Sequence, residues 1–116
     1  MRILKKVFNE TLRKHSVVSC IVRKSSTHFC VPNSNIIIEK DTIVLIPVDA
    51  IHNDPEIFSE PERFEPERFS TEELQRLNPC AFLPFGDGKR VCIGVGLAKL
   101  ICKIGLVMLL GRFKFK

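Results

Sequence analysis

No Cys-x-x-Cys pair occurs among the five cysteines, Cys20, Cys30, Cys80, Cys92 and Cys102. Their number is odd, so neither a disulfide framework nor a zinc-ligand set is implied, and a reducing compartment suits them. Apart from Cys92, they read as small apolar fillers. No secretory leader is expected at the start, because Arg2, Lys5 and Lys6 interrupt the apolar residues there. A long unbroken apolar run is also missing. The stretch from Val91 to Gly111 is interrupted by Lys99 and Lys103, and Gly96 and Gly105 weaken it. Its length alone would suffice for a membrane span. The two lysines fall four apart on one helical face, and that pattern predicts a mostly buried helix with one wet stripe.

The chain has 116 residues and a formal charge of +5. That length supports one small domain with a modest core. The basic residues are spread along the chain, and no RNA-recognition or zinc-finger pattern interleaves with them, which argues against a nucleic-acid partner. A basic face meeting an acidic protein partner fits better.

Residues Ile3 to Lys14 read as an amphipathic helix, with Ile3, Leu4, Val7, Phe8 and Leu12 on one apolar arc. Glu10 and Arg13 are three apart and share a flank beside that arc. Alone this is a weak signal, since surface pairs at that spacing are common and contribute little. Val17 to Val22 reads as an extended segment ending at Arg23, followed by a turn at Ser25-Ser26-Thr27. The runs Ile36-Ile37-Ile38 and Ile43-Val44-Leu45-Ile46 flank Glu39-Lys40-Asp41-Thr42 and predict a hairpin. Pro47 ends the second strand or leaves it at an edge.

His52 to Phe58 is expected to hold a short helix capped by Asp54, with Pro55 at its first position. His52 reads as a solvated or capping residue. Pro-Glu-Arg-Phe occurs twice at a period of five, at Pro61 and Pro66, in a proline-stiffened meander. A short helix follows over Ser70 to Leu77, with Ser70 or Thr71 as cap and Glu73 completing a capping box. Residues 78–91 read as loop. The final helix is predicted from Ile93 to Leu110, with Gly111 as its stop.

The most informative stretch is Phe85-Gly86-Asp87-Gly88-Lys89-Arg90-Val91-Cys92-Ile93-Gly94. It sets one cysteine at the end of a glycine-bearing loop, just before an apolar helical segment. Sulfur near a helix N-terminus faces unpaired N–H groups, which favour the thiolate. Gly88 and Gly94 lack a Cβ and are free to take positive φ. Phe85 offers an aromatic surface beside the sulfur, and Arg90 is within reach of an anionic group.

These residues match F-x-x-G-x-R-x-C-x-G at every fixed position and resemble the haem-binding loop of the cytochrome P-450 monooxygenases. The resemblance runs from Ile3 to Phe115. It implies that Cys92 is the axial ligand of a haem b iron, donating electron density that helps cleave the O–O bond. Phe85, Gly88, Arg90 and Gly94 would then line the cofactor, and Arg23 would reach a haem propionate. Glu10, Arg13 and Arg68 match the structural triad behind the haem. Arg68 is preferred to Arg63 because it lies 24 residues before Cys92, close to the family spacing.

The implied fold class is mainly α with a small β-hairpin, over residues 1–116 as a single partial domain, the C-terminal part of the haem domain. The implied partners are a small lipophilic substrate, O2 and an NADPH-dependent flavoprotein reductase docking near Lys89, Lys99 and Lys103. The closest likeness is to the microsomal animal enzymes that oxidise xenobiotics and hormones. It implies the cytoplasmic face of the endoplasmic reticulum membrane, held by an N-terminal anchor that this segment does not contain. The oxygen-activating acid–threonine pair, the further propionate-binding tryptophan and arginine, and most of the substrate pocket also fall outside it. Within the match, Ser16-Val17-Val18-Ser19 replaces a proline-rich stretch, and Gly96 and Ile101 replace polar helix residues. A catalytically inactive haem-binding fragment is the alternative reading, and a membrane-associated module using the final helix is a third.

Overall fold

A computed structural model describes residues 2–114; Phe115, the last residue of the resemblance, lies outside them. Helix α1 spans Arg2–Lys14. Leu4, Val7 and Phe8 on its apolar arc are half-buried and Leu12 is buried, while Ile3 is exposed and lies outside the packed arc. Arg13 and Lys14 occupy the last turn, where positive charge suits the helix dipole. Lys6 bonds Glu67 at 2.6 Å, and Lys14 donates to the Glu62 carbonyl, so the helix is tied along its length to the meander.

Four short strands follow: β1 (Ile21–Lys24), β2 (Phe29–Cys30), β3 (Ile37–Ile38) and β4 (Ile43–Ile46). The two isoleucine runs do not pair with each other, contrary to the sequence expectation. β4 pairs antiparallel with β1, Ile21 opposite Ile46 and Lys24 opposite Ile43, and β3 pairs with β2 inside that ladder. The arrangement is a small hairpin nested within a larger one. The switch between ladders falls at Asp41, whose φ of 68° turns the chain. The outer ladder continues through Asp41 N–H to Ser25 O and Ser25 N–H to Thr42 O, and Lys24 meets Asp41 at 2.8 Å. The extended segment is Ile21–Lys24, displaced from the expected 17–22.

Helix α2 is Val48–His52, directly after Pro47. The helix expected over His52–Phe58 is absent. Asp54 does not cap one; its Oδ1 accepts from Glu56 N–H at 2.8 Å and closes a side-chain turn. Pro66–Phe69 forms a single 3-10 turn, and α3 spans Thr71–Arg76. Ser70 Oγ caps α3 by accepting from Glu73 N–H at 3.3 Å. The reciprocal half of the box is not formed, because Ser70 N–H donates to Glu67 O and the Glu73 carboxylate takes Arg76. The stretch read as loop carries 3-10 turns at Pro79–Ala81 and Gly88–Arg90. Helix α4 runs Val95–Arg112, so Gly111 lies inside it and Phe113 takes the capping position.

The core consists of Leu12, Val48, Phe58, Phe69, Ala81 and Leu83 around three buried polar residues, Glu10, Arg13 and His52. Helix α4 contributes nothing to it: none of its residues is buried, and Leu97, Leu100, Ile101 and Val107 stand exposed. The mostly buried helix with one wet stripe is therefore corrected. Most of its apolar residues stand exposed, with Val95, Ala98 and Leu106 half-buried. The filler reading of Cys20, Cys30, Cys80 and Cys102 is corrected as well, since all four are exposed.

Candidate functional site

Two constellations meet behind the loop that ends at Cys92. The first is the buried pair. Arg13 Nε donates to Glu10 Oε2 at 2.8 Å and its Nη2 to Oε1 at 3.0 Å, a two-pronged contact with both side chains fully buried. The remaining Arg13 donors reach carbonyls: Nη1 to His52 O at 2.8 Å, and Nη2 to Pro61 O at 2.7 Å and Arg63 O at 3.3 Å. Phe58 lies under the guanidinium, 5.5 Å from its carbon to the ring centre. Glu10 Oε1 also accepts the backbone N–H of Glu65 at 2.8 Å. One acid and one arginine of α1 thus gather the whole meander.

Arg68 stands beside this pair. Its Nε lies 3.7 Å from Glu10 Oε1, within ion-pair range and too long for a hydrogen bond. That Nε is buried without a hydrogen-bond partner. The fork end is satisfied instead by Glu60 O at 2.9 Å and Glu65 Oε2 at 3.3 Å. Arg63 points elsewhere and bonds Glu60 at 2.7 Å on the surface.

The second constellation is an open recess of about 340 Å³ lined by Val17, Val18, Ile21, Arg23, Phe85, Arg90 and Cys92, among others. Strand β1 delivers Ile21 and Arg23 to it, because residues two apart on a strand share a face. The loop is folded back by Cys92 N–H donating to Phe85 O at 2.9 Å and Gly86 N–H to Leu83 O at 3.1 Å. Gly86 and Gly88 have φ of 72° and 73°, the left-handed region that disfavours side chains. Gly94 does not: its φ is −86°, and a Cβ there would meet Cys92 Sγ at an ordinary 3.8 Å. The positive φ expected at Gly88 and Gly94 therefore falls at Gly86 and Gly88. Phe85 is half-buried, and the Lys99 ammonium of α4 sits 5.7 Å from its ring centre. Cys92 itself is exposed, two residues before the α4 capping residue Gly94.

The chemistry of the donor set suits a haem. A soft cysteine sulfur, an aromatic and three aliphatic walls, and two guanidinium groups able to meet carboxylates share one recess. Sequence reasoning missed one residue of this assembly. His52, expected to be solvated or capping, is completely buried between the two constellations. An isolated histidine between Ile51 and Asn53 carries no periodic signal that would have revealed it.

The cytochrome P450 family model matches residues 1–116. The chain is 50% identical over 99% of its length to probable cytochrome P450 6a14 of Drosophila melanogaster. It is 44% identical to probable cytochrome P450 6a20 of the same species and 41% identical to cytochrome P450 6B7 of Helicoverpa armigera, each over the whole chain. It spans 23% of the length of each of these relatives. The chain belongs to the cytochrome P450 family.

Proposed function

We propose that residues 1–116 are part of a single haem domain and form the thiolate-ligand side of a cytochrome P450 monooxygenase site. One observation carries the reading: the recess that gathers Cys92, Phe85, Arg23 and Arg90. Cys92 is the iron ligand and Phe85 keeps water from its sulfur. Arg23 and Arg90 meet the propionates, and Gly86 and Gly88 let the loop turn close to the cofactor plane. The bound haem supplies dioxygen chemistry, in which one oxygen atom enters a small lipophilic substrate and the other leaves as water.

This chain's own residues do the holding. Glu10 and Arg13 fix the meander, and Arg68 adds a second positive group beside the same acid. Electrons come from an NADPH-dependent flavoprotein reductase, and the cationic residues Lys89, Lys99 and Lys103 form its docking face. The family resemblance supports a place on the cytoplasmic face of the endoplasmic reticulum membrane. None of the described helices is long and apolar enough to cross a membrane, and in this reading the contact with the bilayer lies outside these residues.

For the 116 residues by themselves we propose haem binding without turnover, because the apolar residues of α4 stand exposed. The test is the ferrous–carbon monoxide spectrum of the purified chain supplied with haem. A Soret band of the thiolate-ligated type that is lost in Cys92→Ser is the expected result. A band that survives Cys92→Ser overturns the assignment, and turnover with reductase overturns the inactive reading.

A further inference from the structure

His52 joins the buried pair of α1 to the loop that carries Cys92, and it does so through both its backbone and its ring. Its carbonyl accepts from Arg13 Nη1 at 2.8 Å. Its Nε2 lies 2.9 Å from the backbone N–H of Leu83. An N–H can only donate, so Nε2 is the acceptor and the ring proton sits on Nδ1. That proton is directed to Ser16 Oγ at 3.0 Å, and Ser16 Oγ in turn donates to Arg13 O at 3.5 Å. Phe82 packs on the imidazole with ring centres 5.3 Å apart.

The path continues toward the cysteine. Leu83 O accepts from Gly86 N–H at 3.1 Å, and Phe85 O accepts from Cys92 N–H at 2.9 Å. Without the imidazole, the Leu83 N–H would be buried with no acceptor, since Leu83 is itself buried. A buried neutral ring in a single tautomer, bonded on both nitrogens, does more than fill space.

We propose that His52 is a positioning residue: as a neutral Nδ1–H tautomer it accepts from Leu83 N–H and thereby holds the 83–92 loop, and the sulfur at its end, in register with the Glu10–Arg13 pair. The value of that register rests on the haem-thiolate reading above. The role itself is a property of the polypeptide and is testable without cofactor.

The experiment is amide hydrogen exchange on the 116-residue chain with no haem added, comparing the native sequence with His52→Gln and His52→Leu. Glutamine places an acceptor oxygen near the position of Nε2, whereas leucine keeps apolar volume and removes the acceptor. In His52→Leu the Leu83, Gly86 and Cys92 amides are expected to exchange about tenfold faster, the scale of one lost hydrogen bond. Val22 and Val44 in the β1–β4 ladder serve as the control and keep their rates. His52→Gln restores most of the protection at Leu83, Gly86 and Cys92.

Acceleration at Leu83 alone overturns the proposal, because the loop is then not held through that bond. Equal acceleration everywhere in both variants overturns it too, because His52 is then only a core residue. Neither result touches the carbon monoxide spectrum, so loss of this role and loss of the haem reading are separable.

Discussion

Glu10 and Arg13 show how much a single residue's surroundings change its worth. At the surface an acid–arginine pair three apart contributes almost nothing. Here both are buried, and the acid also serves Glu65 N–H while the arginine serves three carbonyls. Glu10→Ala is expected to cost about 3–5 kcal/mol in urea unfolding, because it leaves a buried cation unpaired. Replacing both residues by methionine stays destabilising, unlike a pair bonded only to itself, because the carbonyls of His52, Pro61 and Arg63 lose their donor. A double variant as stable as the native chain would contradict this account.

At His52, burial and the neighbouring Arg13 cation lower the pKa from 6.5, with a hydrogen bond to the Arg13 backbone and the charge of Asp49 opposing. The unfolded chain therefore takes up the proton near pH 6.5, and the folded chain only at lower pH. Stability from this group is complete above pH 6.5 and falls as the solution is acidified below it. Melting points measured from pH 8 to pH 5 should drop less in His52→Gln than in the native chain.

Among the elements, the strands carry a clear lesson about what local sequence encodes. The β-branched runs at 36–38 and 43–46 announce strands, but strand propensity names no partner. The partner was set by the outer ladder through Ser25 and Asp41 and by the turn at Asp41. The α3 cap was readable because Ser70 and Glu73 are neighbours in sequence. The end of α4 was not, since a glycine stops a helix only where the chain takes the left-handed turn, and Gly111 remains helical.

Glycine substitutions separate these cases. Gly111→Ala meets open space and should raise helicity, by roughly 0.5–1 kcal/mol of helix stability, seen by circular dichroism. Gly86→Ala should instead destabilise by about 1–2 kcal/mol, since its φ of 72° is costly with a Cβ although the nearest side-chain atoms are 3.7 Å away. A neutral Gly86→Ala would mean that the loop relaxes to another turn.

The whole molecule is more extended than its length requires. Its radius of gyration is 17.0 Å, against about 13 Å for a compact chain of this size. Helix α4 exposes leucine, isoleucine, valine and methionine along its length, apolar surface of the kind that other protein normally covers.

On that helix Lys99 and Lys103 lie one turn apart, and Lys99 contacts Phe85 of the loop that ends at Cys92. In an enzyme carrying this segment, Lys103→Glu should weaken reductase-supported turnover at low salt, and the defect should shrink as salt screens the contact. Lys99→Glu should show a second component that salt does not remove, because it also disturbs the Phe85 ring. Turnover of Lys103→Glu equal to native at low salt would exclude docking on this face.

The sequence by itself determined the ligand-loop pattern, the Glu10–Arg13 spacing and the existence of most elements, because each depends on residues within a few positions of one another. The preference for Arg68 over Arg63 is likewise legible in its spacing to Cys92, and the structure sets Arg68 3.7 Å from Glu10. Only the tertiary structure decided which strand pairs with which. It alone revealed His52 as the buried link between the pair and the Cys92 loop. Those outcomes depend on groups brought together from 7 to 39 positions apart, where burial and hydrogen-bond satisfaction, not local propensity, select the partner.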